Sequence, residues 1–140
     1  MDETAEKSHI KELLSSIGVD CDDYDLILQS LTHSSFTFEQ KWPSLMSNER
    51  LEFLGDSVLK LISSEYLYER FEEYSEGELT KIRASLVSDS TLVKFAKKIK
   101  LGKYLLLGFH EEKNGGRERN STLACAFEAL LGALYLEGKF

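Results

Sequence analysis

The chain has 140 residues, enough for one domain with a substantial hydrophobic core and too few for two comfortable domains. Hydrophobic residues make up 42% and charged residues 29%, with a single proline, which indicates an ordered soluble protein rather than a disordered one. The net charge of −7 excludes a generally basic nucleic-acid binder. Any nucleic-acid contact must therefore use a local basic surface or a bound cation.

The sequence contains no sign of export or of membrane insertion. Residues 1–9 are polar and lack the apolar segment of a signal peptide, and the longest apolar stretch, residues 129–136, is interrupted by Gly132. Cys21 and Cys125 are too few to form a disulfide framework, so we expect two free thiols. We expect an intracellular protein without membrane contact, in a bacterial cytoplasm or in an organelle derived from one.

The first half of the chain predicts three helices. Apolar residues recur at helical spacing before Gly18, which is a natural helix stop. Residues 32–35 are of types that end or cap helices, so we expect a loop there. The predicted helices are Lys7 to Ile17, Tyr24 to Leu31 and, after a loop with Trp42 and Pro43, a long helix from Asn48 to Phe71.

The second half predicts three further helices and no strand. Gly77 precedes a helix from Glu78 to Val87, and Ser88 or Asp89 can cap the next, which continues through Lys98. The polar run 111–120 is expected to be an exposed loop. A last, almost wholly apolar helix then runs from Thr122 to Leu136, capped by Asn120 or Ser121. The predicted fold class is all-α, because strand-like alternation is missing from the sequence.

Three acids lie on one face of the long predicted helix. Glu49, Glu52 and Asp56 are spaced i, i+3 and i+7, so their side chains project from the same side over two turns. Their mutual repulsion would be relieved by a hard cation such as Mg²⁺, which prefers oxygen ligands. The alternative is a solvated acidic face, which is how most such clusters behave.

Glu128 stands alone among apolar residues of the last predicted helix. An acid within a buried helix is a candidate for a functional site. The alternative is a structural ion pair with Arg50 or Arg83, which the sequence alone leaves open.

Several segments resemble the nuclease domain of the ribonuclease III family. The longest resembles the signature of that family nearly throughout, and the others follow it in order and spacing over most of the chain. The segments are NERLEFLGDSVL (48–59), LTHSS (31–35), EGEL (76–79), RASLV (83–87) and FEALLGA (127–133).

The resemblance implies an all-α nuclease domain over residues 1–140 that forms a symmetric homodimer, with no double-stranded RNA binding domain in this chain. It implies metal-dependent hydrolysis of double-stranded RNA in the processing of rRNA and other structured precursors, leaving 5′ phosphate and 3′ hydroxyl ends. Mg²⁺ is the implied cofactor, with Mn²⁺ as a possible substitute. The implied metal ligands are Glu52, Asp56 and Glu128, the further acids of the cleavage region are Glu49 and Glu76, and the dimer-interface aromatic residue is Phe53.

Cys125 departs from the family pattern, which has an aspartate at this position, one turn before Glu128. A thiol is mostly neutral at pH 7 and suits Mg²⁺ poorly. Three outcomes stay open: cleavage continues with Glu52, Asp56 and Glu128 alone, cleavage needs another metal such as Mn²⁺, or the chain is an impaired ribonuclease III fold that serves as an RNA-binding or scaffold subunit. Cys125 itself is expected to be a small packed residue rather than a catalytic or zinc-binding thiol.

Overall fold

The computed structural model describes residues 3–140, so Met1 and Asp2 of the polar N-terminal stretch lie outside the described residues. Over this range the chain is helical and contains no strand, as predicted, apart from one isolated bridge between Thr32 and Leu106. The helices are α1 (Glu3–Ser16), α2 (Asp25–Ser30), α3 (Ser34–Glu39), α4 (Glu49–Arg70), α5 (Glu76–Leu86), α6 (Asp89–Lys98), α7 (Phe109–Lys113) and α8 (Asn120–Leu136). None of them is long and apolar enough to cross a membrane.

Helix α8 lies at the centre of the fold. Its sequence is apolar on nearly every face, and such a helix is stable only when it is buried all round. It packs against α4, α6 and α2, and Ala126, Ala129 and Ala133 are completely buried at these contacts. The rest of the core consists mainly of leucine and isoleucine side chains from α1, α2, α6 and the segment after α6. The site described below is therefore built on a largely buried helix.

Helix α5 is much less buried than the other long helices. It has no buried residue, and α4 is its main neighbour. Its N-terminus is capped by Ser75, whose hydroxyl accepts a hydrogen bond from the backbone N–H of Glu78. Arg83 Nη1 donates to Ser64 Oγ at 2.9 Å and fixes α5 against α4. Such sparse packing leaves the far side of α5 open to solvent.

The prediction for residues 32–35 was wrong in one respect, because a short helix follows the loop. Helix α3 begins at Ser34, and the imidazole of His33 caps it by accepting a hydrogen bond from the backbone N–H of Ser35 at 3.1 Å. The hydroxyl of Ser35 in turn accepts a hydrogen bond from the backbone N–H of Gly108. The THSS segment thus stabilises a connection between distant parts of the chain.

Residues 111–120 are mostly exposed, as predicted, but the prediction of a loop was wrong for part of this run. Helix α7 covers the start of this run and a 3₁₀ turn, Gly116–Glu118, follows it. Arg117 folds the segment inward by donating to the carbonyl oxygens of Gly102 and Leu105 at 2.8 and 2.7 Å. The predicted cap of the last helix was wrong as well, since α8 starts at Asn120 and no side chain caps it.

Candidate active site

Two glycines bring α4 and α8 into backbone contact. A methyl group added to Gly55 would overlap the carbonyl oxygen of Glu128, and one added to Gly132 would overlap the carbonyl oxygen of Leu51. Only hydrogen at these positions allows the helices to approach so closely. The close approach places the acidic face of α4 beside Glu128.

The crossing produces two pairs of facing side chains. Asp56 on α4 hydrogen-bonds to Glu128 on α8, and Glu52 on α4 hydrogen-bonds to Cys125 one turn earlier on α8. All four side chains are partly buried. The structure therefore brings together three of the five predicted acids and the residue that departs from the family pattern.

The pKa of Glu128 is raised from its ordinary value of 4.5 to about 7. The largest cause is burial, followed by the hydrogen bond and negative charge of Asp56 and by the charges of Glu52 and Asp89. In the described part of the chain, no arginine forms an ion pair with Glu128, and Arg83 is engaged by Ser64. The alternative of a structural ion pair with Arg50 or Arg83 is thus excluded.

Cys125 is a neutral thiol at physiological pH. Burial, the hydrogen bond to Glu52 and the nearby negative charges raise the pKa of this thiol to about 12. Cys125 therefore contributes no negative charge to the cluster. Cys21, the other cysteine, is also a free thiol, and it is buried in the core.

Asp89 is a site residue that the sequence analysis missed. The sequence suggested it as one of two possible caps for α6, but Ser88 occupies the cap position and accepts from the backbone N–H of Thr91. The Asp89 charge instead acts on both Cys125 and Glu128. The sequence carried no signal for this role, because the packing of α6 on α8 is seen only in the structure.

The two other predicted acids are exposed and line other grooves. Glu49 is exposed and lines a neighbouring groove of about 700 Å³ together with His33 and Trp42. Glu76 is exposed and shares a groove with Tyr68 on α4. Tyr68 follows Asp56 by twelve residues, a separation of about 18 Å along the helix.

The donor set at the crossing is chemically suited to a hard divalent cation. Glu52, Asp56 and Glu128 offer carboxylate oxygens, which Mg²⁺ prefers. Burial first, and then the charges of Asp56 and Glu52, raise the pKa of Glu128. Among the described residues, no three His, Cys, Asp or Glu side chains are already arranged as a finished metal site. Binding an ion would therefore require the carboxylates to turn from their present partners toward a shared point.

The family described as Ribonuclease-III-like matches residues 23–140. The chain belongs to this family. It is 53% identical over 131 residues to Ribonuclease 3 of Natranaerobius thermophilus and 52% identical over 128 residues to Ribonuclease 3 of Enterococcus faecalis. These alignments cover 94% and 91% of this chain and 56% of each relative, so the chain spans little more than half the length of those proteins.

Solved structures agree with this family membership. The fold resembles the nuclease domain of ribonuclease III from Campylobacter jejuni, with a TM-score of 0.84 and 42% identity, over 93% of this chain and 87% of that one. That structure is described as flexible in the region involved in dimer formation. Dicer from Pichia stipitis is more distant, with a TM-score of 0.60 and 33% identity over 84% of this chain and 48% of that one. The all-helical ribonuclease III nuclease fold predicted from the sequence is confirmed.

Proposed function

We propose that this chain is the nuclease domain of an endoribonuclease that cuts double-stranded RNA during the processing of rRNA and other structured precursors. The observation that carries the proposal is the glycine-mediated crossing of α4 and α8, which sets Glu52 and Asp56 against Glu128. Membership of the ribonuclease III family supports it. We further propose that residues 1–140 form one nuclease domain.

Glu52, Asp56 and Glu128 would hold a divalent cation, Mg²⁺ by preference with Mn²⁺ as a substitute. When bound, such an ion activates a water molecule and stabilises negative charge on the leaving 3′ oxygen. Glu128 must release its proton to act as a ligand, and it does so readily near neutral pH because its pKa is about 7. Cys125 keeps its proton, so it adds no negative charge beside Glu52.

We propose a symmetric homodimer with Phe53 at the interface. The Phe53 side chain is 81% exposed, which is incompatible with an ordinary core phenylalanine. On the same helix, Leu54, Leu61 and Tyr66 line an apolar groove of about 600 Å³ that could receive an aromatic ring from a second copy. A contact of this kind is self-complementary, as a two-fold axis requires. We propose that Glu49 and Glu76 act in the cleavage region of such a dimer, Glu76 from across the interface.

Lysine side chains at the end of α6 are the best candidates for RNA backbone contacts. Lys97 and Lys100 line a groove of about 670 Å³ and take part in no ion pair within the described residues. Lys103 and Arg117 line the same groove but are engaged by Glu12 and Glu112 respectively. Contacts of this type recognise duplex shape and charge rather than base sequence.

Cleavage of a long duplex RNA in Mg²⁺ and in Mn²⁺ tests the proposal. The unmodified chain is expected to cut it, and Glu128→Gln is expected to lower the rate at least about a hundredfold, because a ligand is lost. Cys125→Asp is expected to raise the rate at low metal concentration by restoring an oxygen ligand. A chain that cuts only after the Cys125→Asp change would instead be an impaired RNA-binding or scaffold subunit.

A further inference from the structure

The carboxylate of Asp56 has a cationic partner within its own helix. Lys60 follows Asp56 by one turn, and its Nζ atom lies 3.1 Å from Asp56 Oδ2. The same carboxylate also hydrogen-bonds to Glu128 across the helix crossing. Asp56 is therefore shared between a lysine and the residue with which it would bind a metal ion.

Among the described residues, Lys60 is the only lysine or arginine that forms an ion pair with an acid of the cluster. None of the other ion pairs in this part of the chain joins a lysine or arginine to Glu52, Asp56 or Glu128. Cys125 removes one negative charge from the cluster, and Lys60 offsets another. Both features lower the negative potential that would attract a divalent ion.

We propose that Lys60 is a built-in cation that competes with the divalent ion for Asp56 and sets the metal concentration at which the site fills. This inference rests on the proposed metal site. An incoming ion must displace the Lys60 ammonium group from Asp56 or bind beside its positive charge. Displacement is feasible because the lysine side chain is 58% exposed and can swing into solvent.

The competing explanation is an ordinary surface ion pair. A lysine four residues after an aspartate stabilises an exposed helix slightly and would have no effect on metal binding. The two explanations predict different effects of the Lys60 charge on the dissociation constant of the metal ion. A unit charge about 5 Å from a divalent ion, in water-like surroundings and at physiological salt, changes the dissociation constant about five- to tenfold.

Isothermal titration with Mn²⁺, without RNA, separates these explanations. Lys60→Met keeps most of the aliphatic stem and removes the charge, whereas Lys60→Arg keeps the charge. Lys11→Met is a matched control on the exposed face of α1. We expect Lys60→Met to tighten Mn²⁺ binding about five- to tenfold, with the other two variants within about twofold of the unmodified chain.

Unchanged or weaker Mn²⁺ binding by Lys60→Met would overturn the inference while leaving the metal site intact. An equal gain from Lys11→Met would also overturn it, since the effect would then reflect net charge alone. A wrong proposed function would give a different result. The unmodified chain and Glu128→Gln would bind Mn²⁺ equally, or neither would bind it. That result would overturn both proposals.

Discussion

Glu128→Gln should stabilise the metal-free domain at alkaline pH. The unfolded chain releases the Glu128 proton near pH 4.5, and the folded chain releases it near pH 7. Between these two pH values the folded state therefore binds more protons than the unfolded state. The stability that this residue contributes is therefore fully present below pH 4.5 and is lost as the pH rises through 7. The glutamine variant cannot ionise and avoids this loss.

The size of the effect follows from the two pKa values. Their difference corresponds to at most about 3.4 kcal/mol. Because the side chain is only partly buried, solvent screening reduces this to about 1 to 2 kcal/mol. For a domain of this size that amounts to a rise in Tm of about 3 to 6 °C.

Thermal unfolding in a chelating buffer at pH 4.5 and pH 8.5 measures this directly. Glu128→Gln should melt several degrees above the unmodified chain at pH 8.5 and close to it at pH 4.5. Glu72→Gln, at an exposed position beyond the end of α4, should have little effect at either pH. An equal Tm for Glu128→Gln and the unmodified chain at pH 8.5, or the same difference at both pH values, would refute the reasoning.

Three further predictions concern the fold, the dimer and the cluster. Gly55→Ala should lower stability by about 2 to 3 kcal/mol in chemical unfolding, because the methyl group forces α8 away. Gly77→Ala, whose methyl group would meet only Ser75 Oγ at an ordinary contact distance of 4.0 Å, should raise stability by up to about 1 kcal/mol. Equal effects of the two substitutions would contradict the crossing argument. Phe53→Ala should shift the solution mass toward the monomer while Phe38→Ala should not, and a dimer unaffected by Phe53→Ala would exclude this interface. Asp89→Asn should weaken Mn²⁺ binding about two- to fivefold in calorimetry by removing a nearby negative charge, and unchanged affinity would exclude Asp89 from the cluster.

The long helices and their closest contact could be predicted from the sequence. Helices α4 and α8 have apolar patterns that extend over many turns, and Gly55, where α8 comes into backbone contact with α4, lies within the segment that resembles the family signature. The short helices α3 and α7 could not be predicted, because distant contacts stabilise them. The His33 cap and the Arg117 bonds to Gly102 and Leu105 are examples of such contacts.

The candidate site was predictable only in part. Spacing within α4 identified Glu52 and Asp56, and the apolar surroundings of Glu128 identified that residue. Spacing within one helix carries no information on which residue of a second helix faces it, so the pairings across the crossing had to come from the structure. The contribution of Asp89 was hidden for the same reason.

The central claim is that the crossing of α4 and α8 binds a divalent cation, and anomalous diffraction from crystals soaked in Mn²⁺ tests it most directly. We predict a single strong peak per protomer at this crossing, with carboxylate oxygens of Asp56 and Glu128 about 2.0 to 2.3 Å away. A peak beside Glu76 alone, or no peak at the crossing at millimolar Mn²⁺, would contradict the account.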